Sequence, residues 1–254
     1  MVVAIDRYVD GGWLMKPLVE SALAMLRQAK QKHGDKIVYA CSMGLQGMVL
    51  IDLIAKHELG IRVVTLDTGR LPQQTYDLID VIRKRYHIEL DVRFPDAEEV
   101  QDMVRERGVN LFLESVENRK LCCAIRKIHP LDKALDGMEA WITGRRRDES
   151  VNRESMQAIE VDPVYGRIKY NPMANWSAHD VWKYIREHDL PYNSLYNAHY
   201  ASIGCACCTR AITVGEDPRA GRWWWENEET LAECGLHVSS IIRSQVEGEL
   251  GEGI

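Results

Sequence analysis

The chain has 254 residues, of which 46% are apolar and 28% are charged, and its formal net charge at pH 7 is −6. This length and apolar content are sufficient for one α/β domain with a buried core. The acidic balance disfavours a general nucleic-acid-binding protein, and we expect no nucleic-acid partner. The sequence contains no apolar run of membrane-spanning length and no signal-peptide pattern, so we expect a cytoplasmic protein.

Short apolar segments alternate with amphipathic segments through the first two thirds of the chain. Residues 1–16 are interpreted as an irregular arm, and the next residues as a helix. Strands are predicted over 36–41, 61–68, 89–94 and 140–144, and helices over 17–32, 48–58, 71–86, 97–108 and 125–135. This alternation is typical of a parallel sheet with helical crossovers. A hairpin over 158–171, which turns at Tyr165-Gly166, precedes a helix over 177–188 with Ser177 as its N-cap.

We divide the chain into three regions of one overall domain. Residues 1–35 form an N-terminal arm and helix, 36–190 a nucleotide-binding parallel α/β domain, and 191–254 a C-terminal segment. The last region is expected to wrap around the sheet, because its sequence is loop-like. The Gly- and Glu-rich residues after Val246 are expected to be disordered.

Three loops follow predicted strands, and ligands of open parallel sheets bind at that edge. In the first, residues 42–47, Ser42 and Gly44 are candidates for a phosphate loop, because small residues let backbone N–H groups approach phosphate oxygens. An ordinary glycine-rich turn explains the same pattern equally well, since the loop has neither the GKS/T nor the GxGxxG motif.

The other two loops carry arginines. Asp67, Thr68, Gly69 and Arg70 follow the second strand and are candidates for holding a ribose or a phosphate. Gly144, Arg146 and Arg147 belong to a run of three arginines after the fourth strand, which is a candidate anion clamp. Solvated turns are the alternative interpretation of both loops.

Four of the seven cysteines form two tight groups that are far apart in the sequence. Cys122 and Cys123 are adjacent, and Cys205 and Cys208 bracket a run that also contains Cys207. Two tight thiol pairs fit a tetrahedral metal site or a four-iron cluster, although structural zinc more often uses two CxxC units. Adjacent cysteines rarely form a disulfide with each other, because the geometry is strained. Cys41, at the end of an apolar strand, is assigned to the core.

Several single residues are further candidates. On a helix, Lys127 would share the face of Cys123, four residues earlier, although a surface lysine is equally ordinary. Cys234 is isolated and has His237 three residues after it, which fits an exposed nucleophile as well as an incidental thiol. Arg219 and Arg222 add two cations, and the tryptophans at 223–225 are expected to pack the C-terminal segment onto the sheet.

Taken together, CC…CxxC, LDTGRL, a TGxRRD-type run, GRWWWE and ECGLH resemble the iron–sulfur branch of the adenylyl-sulfate (APS) and phosphoadenylyl-sulfate (PAPS) reductases. The resemblance extends from about Lys36 to His237 and is closest to the assimilatory APS reductases. It implies a fold similar to the PP-loop ATP pyrophosphatases, an adenine nucleotide α-hydrolase-like parallel sheet. It also implies a [4Fe-4S] cluster on the two cysteine pairs, namely Cys122, Cys123, Cys205 and Cys208.

The same resemblance implies a mechanism. Cys234 would attack the sulfur of APS, AMP would leave, and thioredoxin or glutaredoxin would release sulfite from the S-sulfonate. The residues that fall at the family's phosphosulfate-contacting positions are Lys127, Arg219, Arg222 and His237, and those that match its phosphate loop are Ser42 and Gly44. Gln46, Gly47, Gln74 and Cys207 depart from the family pattern, and the loop departures leave the choice between APS and PAPS open.

Three other functions are compatible with parts of the pattern. The chain could use PAPS, which would require basic contacts for the 3′-phosphate. It could be a PP-loop enzyme that cleaves ATP, such as a tRNA-thiolating protein with a cluster, but residues 42–47 lack the SGGxDS pattern. A cluster-bearing redox sensor would leave the arginines and Cys234 unexplained. A homo-oligomer is compatible with every one of these functions.

Overall fold

A six-stranded sheet lies at the centre of the protein, which a computed structural model describes over residues 12–150 and 153–226, with side chains from residue 15. The strands are β1 (Ile37–Cys41), β2 (Arg62–Leu66), β3 (Leu90–Arg93), β4 (Ala140–Ile142), β5 (Ile159–Val161) and β6 (Ile168–Tyr170). Their order is β3-β2-β1-β4-β6-β5, and only the β5–β6 pair is antiparallel. The predicted parallel α/β sheet and the hairpin at its edge are therefore confirmed.

Seven α-helices surround this sheet in the described ranges: α1 (Gly12–His33), α2 (Leu45–Lys56), α3 (Gln73–Tyr86), α4 (Ala97–Arg107), α5 (Val116–Cys123), α6 (His129–Leu135) and α7 (Ala178–Glu187). Ser177 caps α7 as predicted, because its side chain accepts a hydrogen bond from the Asp180 amide at 3.1 Å. None of these helices combines the length and the apolar character that a membrane span requires.

Two predictions of local structure were wrong. The N-terminal arm was expected to continue to residue 16, but α1 begins at Gly12, and Met15 shares the buried core with Ala22 and Leu26. The apolar face of the helix thus begins before Pro17. The second error concerns α5, which was not predicted, because its eight residues include no sustained apolar period. A short π-helical stretch, Ala124–Ile128, then joins α5 to α6.

The two faces of the sheet are covered by different helices. Alternate strand residues such as Tyr39 and Ile142 pack against α1, α2 and α7 in the main core, while their neighbours Val38 and Trp141 pack against α6. Tyr184 and Tyr86 donate hydrogen bonds to Asp52 at 2.8 and 3.2 Å, and thereby join α7 and α3 to α2. Cys41 is buried in the main core, as predicted.

A third buried cluster among the described residues, the cysteine cluster, contains no residue of a strand. Cys122, Cys205 and Cys208 pack there with Phe112 and Trp223. Trp223 is buried, as expected for a packing residue, but it contacts this cluster and not the sheet. Residues 191–226 are thus attached at several places: Trp223 packs in this cluster, Tyr192 packs against the main core, and the Ala206 amide donates to the Arg70 carbonyl oxygen at 2.8 Å.

Candidate active site

The loops after β1, β2 and β4 meet at one edge of the sheet, because these three strands are parallel neighbours. A cavity of about 270 Å³ lies between them and residues 202–222. Seven of the residues singled out from the sequence line it: Ser42, Thr68, Lys127, Gly144, Cys205, Arg219 and Arg222. The predicted location of a ligand site, beyond the carboxyl ends of the strands, thus coincides with a real cavity.

The loop after β1 lies unusually close to its own strand. A Cβ atom on Gly47 would come within 2.8 Å of the Cys41 sulfur, so glycine is required for this approach. Gly44 does not line the cavity, but it is the N-cap of α2 and makes no side-chain cap. No side chain of its own caps the start of α2, but the Leu45 amide there already contacts the Tyr196 hydroxyl. Met43 adopts a left-handed backbone conformation (φ 57°), which marks a strained turn next to Ser42.

The loop after β2 sends its side chains in several directions. Asp67 shapes the turn, since it accepts hydrogen bonds from the Gly69 amide at 2.7 Å and the Tyr76 hydroxyl at 2.9 Å. The Thr68 hydroxyl lies 3.2 Å from the Cys205 sulfur. The Arg70 guanidinium points away from the cavity and donates to the Val109 carbonyl oxygen at 2.7 Å. Of the four residues predicted here, only Thr68 reaches the cavity.

The three arginines after β4 also separate. Arg146 donates to Asp148 at 2.5 Å and to the Trp176 carbonyl oxygen at 3.4 Å, and Arg147 donates to the Met156 carbonyl oxygen at 2.7 Å. Neither of these two arginines lines the cavity. Arg145, the first arginine of the same run, does line it and lies 3.6 Å from the Glu160 carboxylate.

Sequence reasoning also missed a group of side chains opposite the first loop. Glu149 lines the cavity, accepts a hydrogen bond from Gln46 at 2.5 Å and pairs with Arg153. Arg153 lines the cavity as well and is buried. No sequence pattern indicated these residues, because only the folded loop brings them opposite Gln46.

Three of the four predicted cysteines, Cys122, Cys205 and Cys208, share one buried cluster, and Cys205 also lines the cavity; Cys123 is buried but is not a member of that cluster. Cys122, Cys123, Cys205 and Cys208 are all buried, with 6 to 9% of their surface exposed. None of the six cysteines in the described ranges forms a disulfide. Burial raises the pKa of the Cys122 thiol, while the charges of Arg126 and Lys127 oppose this rise. Packing alone does not explain why thiols should be buried close to two cationic side chains, so these cysteines are candidate ligands.

Cys207 differs from its neighbours. It is half-buried, and its sulfur accepts a hydrogen bond from the Arg70 guanidinium at 3.4 Å. The hydrogen bond with Cys208 and the contact with Arg70 lower the pKa of Cys207 to about 6, and the same contact with Cys207 raises the pKa of Cys208. Cys207 thus contacts Arg70 and packs at the margin of the cysteine cluster, whereas Cys205 and Cys208 are buried members of that cluster with Cys122.

The donor set can be tested for fit to a metal group. Within residues 12–150 and 153–226, no group of three or more His, Cys, Asp or Glu side chains forms a site for a metal ion. A four-iron cluster differs from a single ion, because it separates its four cysteine sulfurs and favours thiolate donors alone. Cys122, Cys205 and Cys208, buried in one cluster, and Cys123, buried next to Cys122 in the sequence, are thiol donors of the kind that such a group requires. Cys234 and His237 lie outside the described residues.

The sequence of this chain matches a known protein family. Residues 36–211 match the phosphoadenosine phosphosulfate reductase domain. The chain belongs to the phosphoadenosine phosphosulfate reductase family. The membership that the motifs indicated is thereby confirmed, and the matched residues include the loops around the cavity and both cysteine pairs.

Relatives of this family member share most of its length. The adenosine 5′-phosphosulfate reductase of Allochromatium vinosum is 49% identical over 221 residues, which are 87% of this chain and 86% of the relative. That of Burkholderia cepacia is 45% identical over 92% of both chains. The chloroplastic 5′-adenylylsulfate reductase 3 of Arabidopsis thaliana is 43% identical over 87% of this chain and 49% of the relative.

Solved structures of similar proteins confirm the expected fold. The PAPS reductase from Candida auris, in a phosphate complex, has a TM-score of 0.64 and 28% identity over 79% of this chain and 98% of that chain. The FMN adenylyltransferase of Candida glabrata has a TM-score of 0.56 at 13% identity over 94% of this chain and 85% of that chain, which shows the shared fold alone.

Proposed function

We propose that this chain reduces APS to sulfite and AMP with electrons from thiols, as a step of assimilatory sulfate reduction. The observation that carries the proposal is the cavity at the carboxyl ends of β1, β2 and β4, which places the first loop, Lys127 and Arg222 around one space. Relatives named for APS reduction, 43 to 49% identical over most of the chain, support the same substrate.

The cations of the cavity suit a phosphosulfate. Its sulfur is surrounded by anionic oxygens that repel a thiolate, so fixed positive charge is required where the two must meet. Lys127, Arg219 and Arg222 line the cavity, and Lys127 and Arg222 are more than 90% buried. Arg222 donates to Ser202 at 3.3 Å, yet its Nε is buried without a hydrogen-bond partner among the described residues. A ligand oxygen would satisfy this donor.

The proposed reaction has two steps. The Cys234 thiolate attacks the sulfur of APS, an S–S bond forms, the S–O bond breaks, and its electron pair leaves on the phosphate oxygen of AMP. Thioredoxin or glutaredoxin then attacks the Cys234 sulfur with one thiol, and sulfite leaves with the bonding electrons. The reductant's second thiol resolves the mixed disulfide, so the dithiol supplies both electrons. We assign His237 to the phosphosulfate contacts on the family resemblance.

We further propose that Cys122, Cys123, Cys205 and Cys208 hold a [4Fe-4S] cluster. The burial of all four, the shared cluster of Cys122, Cys205 and Cys208, and the nearby charges of Arg126 and Lys127 support this assignment. When bound, such a cluster would supply fixed charge and a clamp between α5 and the turn at 205–208. Because the thiols account for both electrons of the reaction, the proposal requires no change in its oxidation state.

APS is favoured over PAPS by the carboxylates around the cavity. Two further arginines line it, but Arg153 pairs with Glu149, and Arg145 lies 3.6 Å from Glu160. These carboxylates offset the charge that a 3′-phosphate would need. Two alternatives are tested against this proposal. A PAPS reductase would use PAPS as its substrate, and a PP-loop enzyme of the tRNA-thiolating type would use ATP.

A substrate comparison tests the proposed function. With thioredoxin as reductant, we expect kcat/KM for APS to exceed that for PAPS by at least about tenfold, since a charge without a partner costs more than about 1.4 kcal/mol. Sulfite release is the measurement, and ATP-to-pyrophosphate turnover is assayed in parallel. A wide preference for PAPS would reassign the substrate, and pyrophosphate release without sulfite would reassign the reaction class.

A steric variant tests the position of Arg222 without changing a charge. A Cβ atom on Gly204 would lie 2.5 Å from Nη2 of Arg222, so Gly204→Ala must displace this guanidinium. We expect APS affinity to fall by about ten- to a hundredfold, the loss of one charged hydrogen bond. Equilibrium binding is measured in a Cys234→Ser background.

Arg222→Ala supplies the matched control for this variant. Once the guanidinium is gone, the new methyl group has nothing to displace, so Gly204→Ala should add little to Arg222→Ala in a double-mutant cycle. Additive losses would show that Gly204 acts on the ligand site by another route.

A further inference from the structure

A buried ion pair closes the described part of the C-terminal segment. The Arg119 guanidinium donates to Glu226 through both Nε and Nη2, the latter at 3.0 Å from Oε2. Only 6% of the Arg119 side chain and 4% of the Glu226 side chain are exposed. Removing either partner would leave a buried charge without compensation, so a pair of this kind fixes the chain strongly.

The pair joins two parts of the candidate site. Arg119 lies one helical turn before Cys122 on α5, and its guanidinium stands 4.4 Å from the ring centre of Trp223. On the other side, the Glu226 amide donates to the Trp223 carbonyl oxygen at 2.8 Å. Trp223 directly follows Arg222, which lines the cavity. The position of Glu226 is therefore tied both to the cysteine helix and to the cavity wall.

We infer that Arg119 and Glu226 are positioning residues, which fix the point from which the chain leads to the reacting thiol. The inference rests on the proposed role of Cys234, which follows Glu226 by eight residues. Eight residues span at most about 29 Å, so this anchor fixes the origin and the maximum length of the tether that carries Cys234. Without it, the nearest upstream backbone contact of the described residues with another part of the chain is the hydrogen bond from the Trp223 amide to the Cys208 carbonyl oxygen, eleven residues before Cys234.

The expected effect is larger than that of a longer tether. Lengthening a tether from eight to eleven residues lowers the effective concentration by less than about twofold. An anchor also sets the direction of approach, and small misplacements of reacting groups cost up to about a hundredfold in rate. We therefore expect Glu226→Gln to slow S-sulfonate formation at saturating APS by about tenfold or more, with iron content and APS affinity unchanged.

The experiment uses the full chain, purified anaerobically and mixed with APS alone. Intact mass against time gives the rate constant of S-sulfonate formation, and APS affinity is measured in a Cys234→Ser background. Glu216→Gln is the matched control, because it breaks the Arg210–Glu216 pair of the same segment, whose side chains are 36% and 30% exposed. Glu226→Asp keeps the charge but shortens the side chain, so an intermediate rate is expected.

Each outcome decides the inference. A Glu226→Gln rate equal to that of Glu216→Gln overturns it, and so does a parallel loss of rate, iron and APS affinity, which would mean that the pair only maintains the fold. If Glu226→Gln does not fold, Glu226→Asp is compared with Glu216→Gln by the same criteria. Absence of any adduct on the wild-type chain would instead contradict the proposed function. Failure of the proposed function is thereby distinguished from failure of the inference about Arg119 and Glu226.

Discussion

Cys234→Ser is expected to abolish APS reduction, with the rate of sulfite release below about one thousandth of the wild-type rate. A serine hydroxyl remains protonated at neutral pH and is a far weaker nucleophile than a thiolate, so the S–O bond of APS has no attacking group. The measurement is sulfite release with thioredoxin, together with intact mass after incubation with APS alone. The wild-type chain should gain one SO₃ group, and the variant none.

Cys207→Ser is the matched control for this experiment. Cys207 is half-buried and has a lowered pKa, which makes it the strongest competitor for the role of nucleophile among the described cysteines. We expect this variant to form the adduct at the wild-type rate. An adduct that survives in Cys234→Ser and disappears in Cys207→Ser would move the nucleophile to the turn at 205–208.

The second large effect concerns iron. Cys208→Ser is expected to remove most of the bound iron, whereas Cys207→Ser should retain it. Cys208 is buried beside Cys122 and Cys205, while Cys207 is directed toward Arg70. The two residues are adjacent and their sulfurs lie 3.8 Å apart, so the comparison changes little except the direction of the lost thiol.

Iron content and visible absorbance after anaerobic purification measure this difference. Cys205→Ser should behave like Cys208→Ser, because both side chains belong to the same buried cluster. If Cys207→Ser lost its iron and Cys208→Ser retained it, the ligand assignment would shift by one residue. Wild-type protein that contains no iron at all would refute the proposed cluster.

Local signals were sufficient for much of the fold. Apolar runs between amphipathic segments located β1 to β4, and Gly166, at φ 63°, turns the edge hairpin where it was expected. The start of α7 was predictable because Ser177 and Asp180 form a capping box, which is local in sequence. The eight residues of α5 carried no such signal, because that helix is stabilised by distant partners such as Trp223 and Glu226.

The candidate site was predictable in position more than in detail. Ser42 and Gly144 reach the cavity because strand order brings the loops after β1 and β4 together, whereas Lys127 reaches it from the π-helical stretch between α5 and α6. The direction of a loop arginine depends on acceptors far away in the sequence. Arg70 is held by the Val109 carbonyl oxygen and Arg147 by that of Met156, so the choice of Arg145 as the arginine at the cavity could not be made from the sequence.

The separation of the cysteine cluster from the main core has a consequence for biogenesis. The main core between the sheet and α1, α2 and α7 contains Cys41 but none of the proposed ligands. Its burial therefore does not depend on iron, and we expect the chain to complete its sheet before maturation. The order of assembly is then polypeptide first and cluster second, with α5 and the 205–226 segment as the part of the immature protein that an iron–sulfur donor would have to reach.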